Sequence, residues 1–111
     1  MNVPGADAEV LNRLAWTLNA RRGADPKLSY TAKLFAAGED TILRKIAEEA
    51  AETLLASKGG DRLHVVREIA DLWFHCLVLL AYHNSGPGEV LSELARREGL
   101  SGIDEKKARG N

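Results

Sequence analysis

Two long helical patterns of apolar residues meet at one short break, Gly59-Gly60-Asp61. The first pattern covers about residues 39–58 and the second runs from residue 62 to about residue 84. Glycine commonly follows the last turn of a helix, and aspartate is a preferred N-cap of the next one. Because so short a break returns the chain on itself, the sequence predicts an antiparallel helical hairpin.

The rest of the sequence adds short flanking helices. Apolar residues at helical spacing predict a first helix that begins after a cap at Asp7, and a second over residues 31–37. A fifth helix is predicted over residues 89–98. The alternation typical of strands is missing, so we expect an all-α fold with one domain over residues 1–99. The polar residues 100–111 are expected to form a mobile tail.

The second half of the fourth helix is apolar on every side. From Leu72 to Tyr82 the run is interrupted by His75, which we expect to be a hydrogen-bonded core or interface residue. A helix of this kind has to be covered all round. Two hairpins packed as a four-helix bundle would cover it in a homodimer or a higher homo-oligomer. Cover by helices one, two and five is the alternative. We favour the dimer because stable monomers leave apolar patches of only ~300–600 Å².

Composition excludes several classes of protein. The chain has 111 residues and a net charge of -1, so we expect no nucleic-acid-binding surface. Its single cysteine, Cys76, allows neither an intrachain disulfide nor a cysteine-based zinc site. The apolar run is shorter than the roughly 20 residues of a membrane span, and residues 1–7 lack the features of a signal peptide. We therefore expect a cytoplasmic protein that binds neither nucleic acid nor membrane.

Four carboxylates occupy mirror positions about Gly60. Glu49 and Glu52 are three residues apart in the third helix. Glu68 and Asp71 repeat that spacing in the fourth. Since Glu52 and Glu68 are equally far from Gly60, the hairpin sets them at one height. Glu49 and Asp71 form a second such pair, so we expect two facing pairs of acids across the hairpin.

This concentration of negative charge indicates a bound cation. Two unit charges about 4 Å apart repel by ~1 kcal/mol in water and by ~4 kcal/mol at an effective dielectric of about 20. A metal ion would offset that cost. Oxygen ligands without cysteine favour Mg²⁺, with Mn²⁺ as a substitute, over zinc. The alternative is that the acids simply face water, as charged helix faces generally do. The mirror register of the two pairs favours the metal.

The acids and the segments around them resemble a known superfamily. The pattern E-E-x-x-E of residues 48–52, followed after a short turn by E-x-x-D of residues 68–71, is similar to that of the all-α nucleoside-triphosphate pyrophosphohydrolases, the MazG-like proteins. Other segments more closely resemble the phosphoribosyl-ATP pyrophosphatases of histidine biosynthesis, namely residues 29–34, 42–50, 70–75 and 94–103.

The resemblance implies an ATP-derived substrate. The expected reaction is Mg²⁺-dependent hydrolysis of phosphoribosyl-ATP to phosphoribosyl-AMP and pyrophosphate, the second step of histidine biosynthesis. The quartet Glu49, Glu52, Glu68 and Asp71 would hold the metal. The catalytic candidates are Glu48 and Glu49, and Glu48 is either a further ligand or the base that accepts the proton of the attacking water. The candidates for substrate binding are Ser29, Tyr30, Lys33, Arg44 and Lys45.

Some of these roles have ordinary structural alternatives. Lys45, one turn from Glu49, is best placed for phosphate, whereas Arg44 is equally well explained as a solvated helix residue. Ser29 can simply cap the second helix. Two other functions fit the same acids: a house-cleaning hydrolase of non-standard nucleoside triphosphates, and a non-enzymatic dimerisation module whose acids only repel wrong partners.

Overall fold

The described part of the chain contains six α-helices. The computed structural model describes residue 3 and residues 5–110, the side chain of residue 105 excepted. The helices are α1 Glu9–Ala20, α2 Tyr30–Ala37, α3 Glu39–Gly59, α4 Arg62–Tyr82, α5 Pro87–Arg96 and α6 Gly102–Ala108. The described residues contain no strand, which confirms the all-α prediction, and no helix long and apolar enough to cross a lipid bilayer. Residues 1, 2 and 4 of the predicted domain, and residue 111 of the predicted tail, lie outside the described residues.

The predicted hairpin is formed by α3 and α4. Gly60 ends α3 with a φ of 78°, in the left-handed region that glycine adopts without a steric penalty. Asp61 caps α4, because its side chain accepts hydrogen bonds from the backbone N–H groups of Leu63 at 3.0 Å and His64 at 3.4 Å. The two helices then pack against each other more extensively than any other pair in the fold.

The core lies at the end of the hairpin away from the turn. Helix α1 packs against α4 there, and α2 packs against both α3 and α4. The buried cluster consists of Leu18, Leu34, Ile42, Leu77 and Val78. Full burial of each such side chain stabilises the fold by about 1.5–3 kcal/mol. Arg22 closes this end, since its Nη1 donates to the carbonyl of Ala81 at 2.6 Å and its guanidinium lies 5.2 Å from the centre of the Phe35 ring.

The half of the hairpin next to the turn leaves apolar side chains exposed on the outer sides of both helices. Leu54 and Leu55 of α3 are 70% and 69% exposed, and Leu63 and Val66 of α4 are also exposed. Further along α4, Trp73 is 58% exposed. Within one chain, α1 and α2 pack on α4 at the end away from the turn, while α5 packs on α1. We call the exposed residues Leu54, Leu55, Leu63 and Val66 the hairpin face.

Two helix positions differ from the sequence-based prediction. The segment predicted as a tail contains α6, whose start is capped by Ser101, because the Ser101 side chain accepts a hydrogen bond from the Asp104 N–H at 3.1 Å. Local capping accounts for this helix, since Leu100 and Ile103 stay exposed. Helix α5 starts at Pro87, before the predicted residue 89, because proline at the first helical position needs no hydrogen-bond partner.

Candidate active site

Three of the four predicted metal ligands meet between α3 and α4. One carboxylate oxygen each from Glu49, Glu68 and Asp71 lies within 4.8 Å of the other two. Glu49 and Glu68 are partly buried, and Asp71 is exposed. An Mg²⁺ ion about 2.1 Å from each ligand spans oxygens up to ~4.2 Å apart. These three oxygens can therefore reach one ion after a small side-chain adjustment. We call Glu49, Glu68 and Asp71 the carboxylate group.

Glu52 does not join the carboxylate group. Its side chain is exposed, and Glu49 is the residue of α3 that approaches both acids of α4. Equal distance from the turn fixes the height of a residue on the hairpin and leaves its direction open. At about 3.6 residues per turn, residues three apart point ~60° away from each other around the helix. The structure thus brings together three acids where two facing pairs were expected, and a ligand role for Glu52 stays a prediction.

The charge of Glu49 is disfavoured in this arrangement. Partial burial raises the pKa of Glu49, and the charge of Asp71 and the hydrogen bond and charge of Glu68 add to the increase. A raised pKa of a carboxyl group means that the ionised form is less stable in the folded site than in water. A cation between the three oxygens would remove that penalty, which fits the donor set of a magnesium site.

The raised pKa of Glu49 predicts that Glu49→Gln stabilises the metal-free protein at neutral pH. A proton on Glu49 favours the folded state. This contribution is complete below the pKa of the unfolded chain and is lost as the pH rises through the higher pKa of the folded chain. In EDTA at pH 7 we expect the variant to melt above the wild type. The difference should vanish below the ordinary glutamate pKa of 4.5, where Glu49 is protonated in both states.

Thermal unfolding followed by circular dichroism from pH 4 to pH 8 measures this effect. Glu89→Gln is the matched control, because Glu89 is exposed on α5 and lies apart from the carboxylate group. A metal-free Glu49→Gln variant that melts below the wild type at pH 7 would show that the carboxylates do not repel one another.

His64 contacts the carboxylate group from the side of the turn. Its Nε2 lies 3.4 Å from Oε1 of Glu68, one helical turn along α4. Such a partner orients a metal ligand from the outer shell. Sequence reasoning missed this residue, although the spacing of His64 and Glu68 at i and i+4 was a usable signal.

Lys45 lies at the other end of the carboxylate group. Its Nζ is 3.3 Å from Oε2 of Glu48, and this hydrogen bond is the main cause that raises the pKa of Lys45, followed by the phenol of Tyr30. The charge of Glu49 contributes as well. Lys45 therefore lies near Glu48 and Glu49, and its contact with phosphate stays a prediction. The other predicted cations, Lys33 and Arg44, are exposed on α2 and α3.

The start of α2 carries the last two predicted residues. Ser29 is the N-cap of α2, since its Oγ accepts a hydrogen bond from the Ala32 N–H at 3.1 Å. The capping role that the sequence left open is thus confirmed, and contact of Ser29 with substrate stays a prediction. Tyr30 places its Oη 2.9 Å from Nε2 of His75. His75 is buried and hydrogen-bonded, as expected for a core residue.

Comparison with known proteins identifies the family. Residues 11–98, which include every candidate site residue, match the family model described as phosphoribosyl-ATP pyrophosphohydrolase. A relative from Nitrosospira multiformis named phosphoribosyl-ATP pyrophosphatase is 66% identical over 104 residues, which cover 94% of this chain and 86% of the relative. A relative of the same name from Chromobacterium violaceum is 62% identical over 101 residues, covering 91% of this chain and 94% of the relative. The chain therefore belongs to the phosphoribosyl-ATP pyrophosphohydrolase family.

Proposed function

We propose that this chain is a cytoplasmic, Mg²⁺-dependent enzyme that hydrolyses phosphoribosyl-ATP to phosphoribosyl-AMP and pyrophosphate in histidine biosynthesis. Membership of the family and the names of the relatives support the substrate. The observation that carries the proposal is the carboxylate group, because hydrolysis of a phosphoanhydride requires negative charge on the phosphates to be neutralised. Mn²⁺, which takes the same oxygen ligands, is the proposed substitute.

Glu49, Glu68 and Asp71 would hold the metal. A bound Mg²⁺ would neutralise phosphate oxygens and the charge that develops on the leaving pyrophosphate. Glu52 lies one turn along α3 from Glu49 and is proposed as a fourth ligand that reaches the group when its side chain rotates. The set contains oxygen donors only, which suits Mg²⁺ and does not suit zinc.

Glu48 is proposed to accept the proton of the attacking water. It is exposed, adjacent in sequence to Glu49, and lies outside the carboxylate group, so the oxygen that does not contact Lys45 is available to a water molecule. The hydrogen bond from Lys45 fixes the direction of the Glu48 side chain. Glu49 is the second catalytic candidate, because it is the residue by which α3 would hold the metal opposite the two acids of α4.

The substrate contacts are proposed to come from α2 and α3. Lys45 is positioned to bind a phosphate next to the carboxylate group. Lys33 and Arg44, whose side chains are exposed, are proposed to contact the outer phosphates. Ser29 and Tyr30 would line the part of the pocket that receives the nucleoside.

We also propose that two or more copies of the chain associate through the hairpin face. Its side chains would be buried between two hairpins in a four-helix bundle, and their exposure in the single chain supports this proposal. Symmetric association buries the same face on both partners. This gives the leucines and the valine the cover that the described part of one chain does not provide.

A substrate panel tests the proposed activity. The purified protein with Mg²⁺ should release pyrophosphate from phosphoribosyl-ATP at least about tenfold faster than from dUTP, dCTP or oxidised nucleotides, and EDTA should stop the reaction. The products are separated by ion-exchange chromatography and pyrophosphate is measured by a coupled assay. A preference for dUTP, dCTP or oxidised nucleotides would favour the house-cleaning hydrolase. Failure to bind Mg²⁺ or cleave any nucleotide would favour the dimerisation module.

A further inference from the structure

A hydrogen-bonded chain connects α2 with the turn of α4 that bears Asp71. Oη of Tyr30 lies 2.9 Å from Nε2 of His75, and Nδ1 of His75 lies 2.8 Å from the carbonyl oxygen of Asp71. A carbonyl oxygen only accepts, so Nδ1 carries the hydrogen. In the neutral imidazole Nε2 is then the acceptor, and the hydroxyl of Tyr30 donates to it. The backbone carbonyl of Asp71 therefore fixes the direction of the bond from His75, and Tyr30 donates to His75 when the imidazole is neutral.

His75 occupies a place where an apolar side chain would satisfy packing alone. It is 5% exposed, and the residues that surround it in the sequence of α4 are apolar. A buried imidazole costs free energy unless both ring nitrogens are hydrogen-bonded. Both are bonded here, and one bond goes to a different helix. The histidine therefore links α2 to α4 by a directional hydrogen bond, which a leucine of similar size could not form.

The ring of Tyr30 is held in place and yet half exposed. It is stacked at a centroid distance of 6.5 Å on Phe74, with 28° between the planes, and lies edge-on to His75 at 6.0 Å. Tyr30 is nevertheless 51% exposed. Lys45 is close enough for the phenol to raise its pKa, after the larger effect of Glu48. A fixed aromatic face close to Lys45 suits a nucleotide, whose phosphates would contact the lysine while its nucleoside contacts the ring.

We propose that His75 is a positioning residue that sets the place of the nucleoside relative to the carboxylate group. Through its two bonds it ties the ring of Tyr30 to the same residue, Asp71, whose carboxylate belongs to the group. His75 itself touches neither the nucleotide nor the metal. The inference rests on the proposed function and extends it to His75, which is not among the candidate site residues.

Three variants test this role, namely Tyr30→Phe, His75→Leu and the double variant. Each is expected to raise the KM for phosphoribosyl-ATP about tenfold, the effect of one lost positioning bond, with kcat within about twofold of the wild type. The KM of the double variant should be no higher than the KM values of the single variants, because both substitutions break the same hydrogen-bonded chain. The affinity for Mn²⁺, measured by electron paramagnetic resonance, should not change, since the three carboxylates remain.

The matched control is Tyr82→Phe. Tyr82 is also edge-on to a histidine, His83, with centroids 5.3 Å apart, and it lies at the far end of α4. Its KM should equal that of the wild type. A wild-type KM in the folded double variant would overturn the proposal. A KM of the double variant that rises by the product of the two single-variant increases would also overturn it.

A parallel binding measurement separates this proposal from the proposed function. The dissociation constant of a non-hydrolysable ATP analogue with Mg²⁺ is measured by calorimetry for the same proteins. The three variants should bind the analogue about tenfold more weakly than the wild type and the Tyr82→Phe control. If the wild type binds the analogue without hydrolysing phosphoribosyl-ATP, the proposed function fails while this comparison still decides the role of His75. Equal affinity in all five proteins would overturn that role.

Discussion

Glu49→Gln is expected to reduce Mg²⁺-dependent pyrophosphate release about a thousandfold, equivalent to ~4 kcal/mol of transition-state stabilisation. Glu49 is the residue that α3 contributes to the carboxylate group, and its oxygen lies within 4.8 Å of both Glu68 and Asp71. Glutamine keeps the size and the carbonyl oxygen but removes the negative charge that holds the metal. The two acids left on α4 would bind Mg²⁺ weakly, because few protein ligands remain to replace its waters. Helicity by circular dichroism should not change.

A second measurement separates lost metal binding from lost chemistry. At a hundred times its dissociation constant, Mg²⁺ should stabilise the wild type by ~2.7 kcal/mol and so raise its melting temperature. Glu49→Gln should show no such increase in melting temperature. Asp71→Asn should behave in the same way. Glu52→Gln should lose only about tenfold in rate, because the carboxylate group stays intact. Glu89→Gln on α5 should match the wild type.

The comparison between Glu49 and Glu52 is the sharpest test of the observed geometry. Full activity in Glu49→Gln would rule out the carboxylate group as the metal site. A larger loss in Glu52→Gln than in Glu49→Gln would mean that the metal-bound protein uses the other side of α3.

The hairpin could be predicted from the sequence because its determinants are local. The left-handed φ of Gly60 and the cap by Asp61 depend on residues within one turn of the break. They fix the height of each acid along the hairpin. The direction of each acid depends on how α3 is rotated when residues such as Ile42 are buried against α1, α2 and α4. That rotation is a property of the whole core, so the sequence could not show that Glu49 would face both acids of α4 while Glu52 stayed exposed.

The hydrogen bond between Tyr30 and His75 could not be predicted from the sequence. The two residues are 45 positions apart, so no helical periodicity relates their positions. Their contact depends on the path of the chain between α1 and α2, which brings the start of α2 onto α4. The polarity of His75 within an apolar run was the available signal, and it indicated a hydrogen-bonded residue without naming the partner. The substrate, by contrast, was indicated by resemblance, since the acids alone specify only a metal and a phosphate.

Leu55→Lys is expected to dissociate the proposed assembly into single chains of 12.1 kDa. In one chain Leu55 is 69% exposed, so a lysine there should change the stability of the monomer by only about 0.5 kcal/mol. In a symmetric interface the same substitution buries a charge without a partner on each side, at a cost of several kcal/mol. Light scattering coupled to size-exclusion chromatography at micromolar concentration measures the mass. Ile103→Lys, at a residue that is 70% exposed on α6, is the matched control and should keep the mass of the wild type.

The same variant shows whether the assembly completes the metal site. Glu52 is exposed in the single chain and lies less than one turn from Leu55, so packing of a second hairpin on the hairpin face would change the surroundings of Glu52. If association turns Glu52 toward the carboxylate group, Leu55→Lys should weaken Mg²⁺ binding to the level of Glu52→Gln and no further. A monomeric Leu55→Lys variant with wild-type Mg²⁺ affinity would mean that Glu49, Glu68 and Asp71 bind the metal without help from a second chain. An unchanged mass would place the interface elsewhere and leave the hairpin face exposed in the assembled protein.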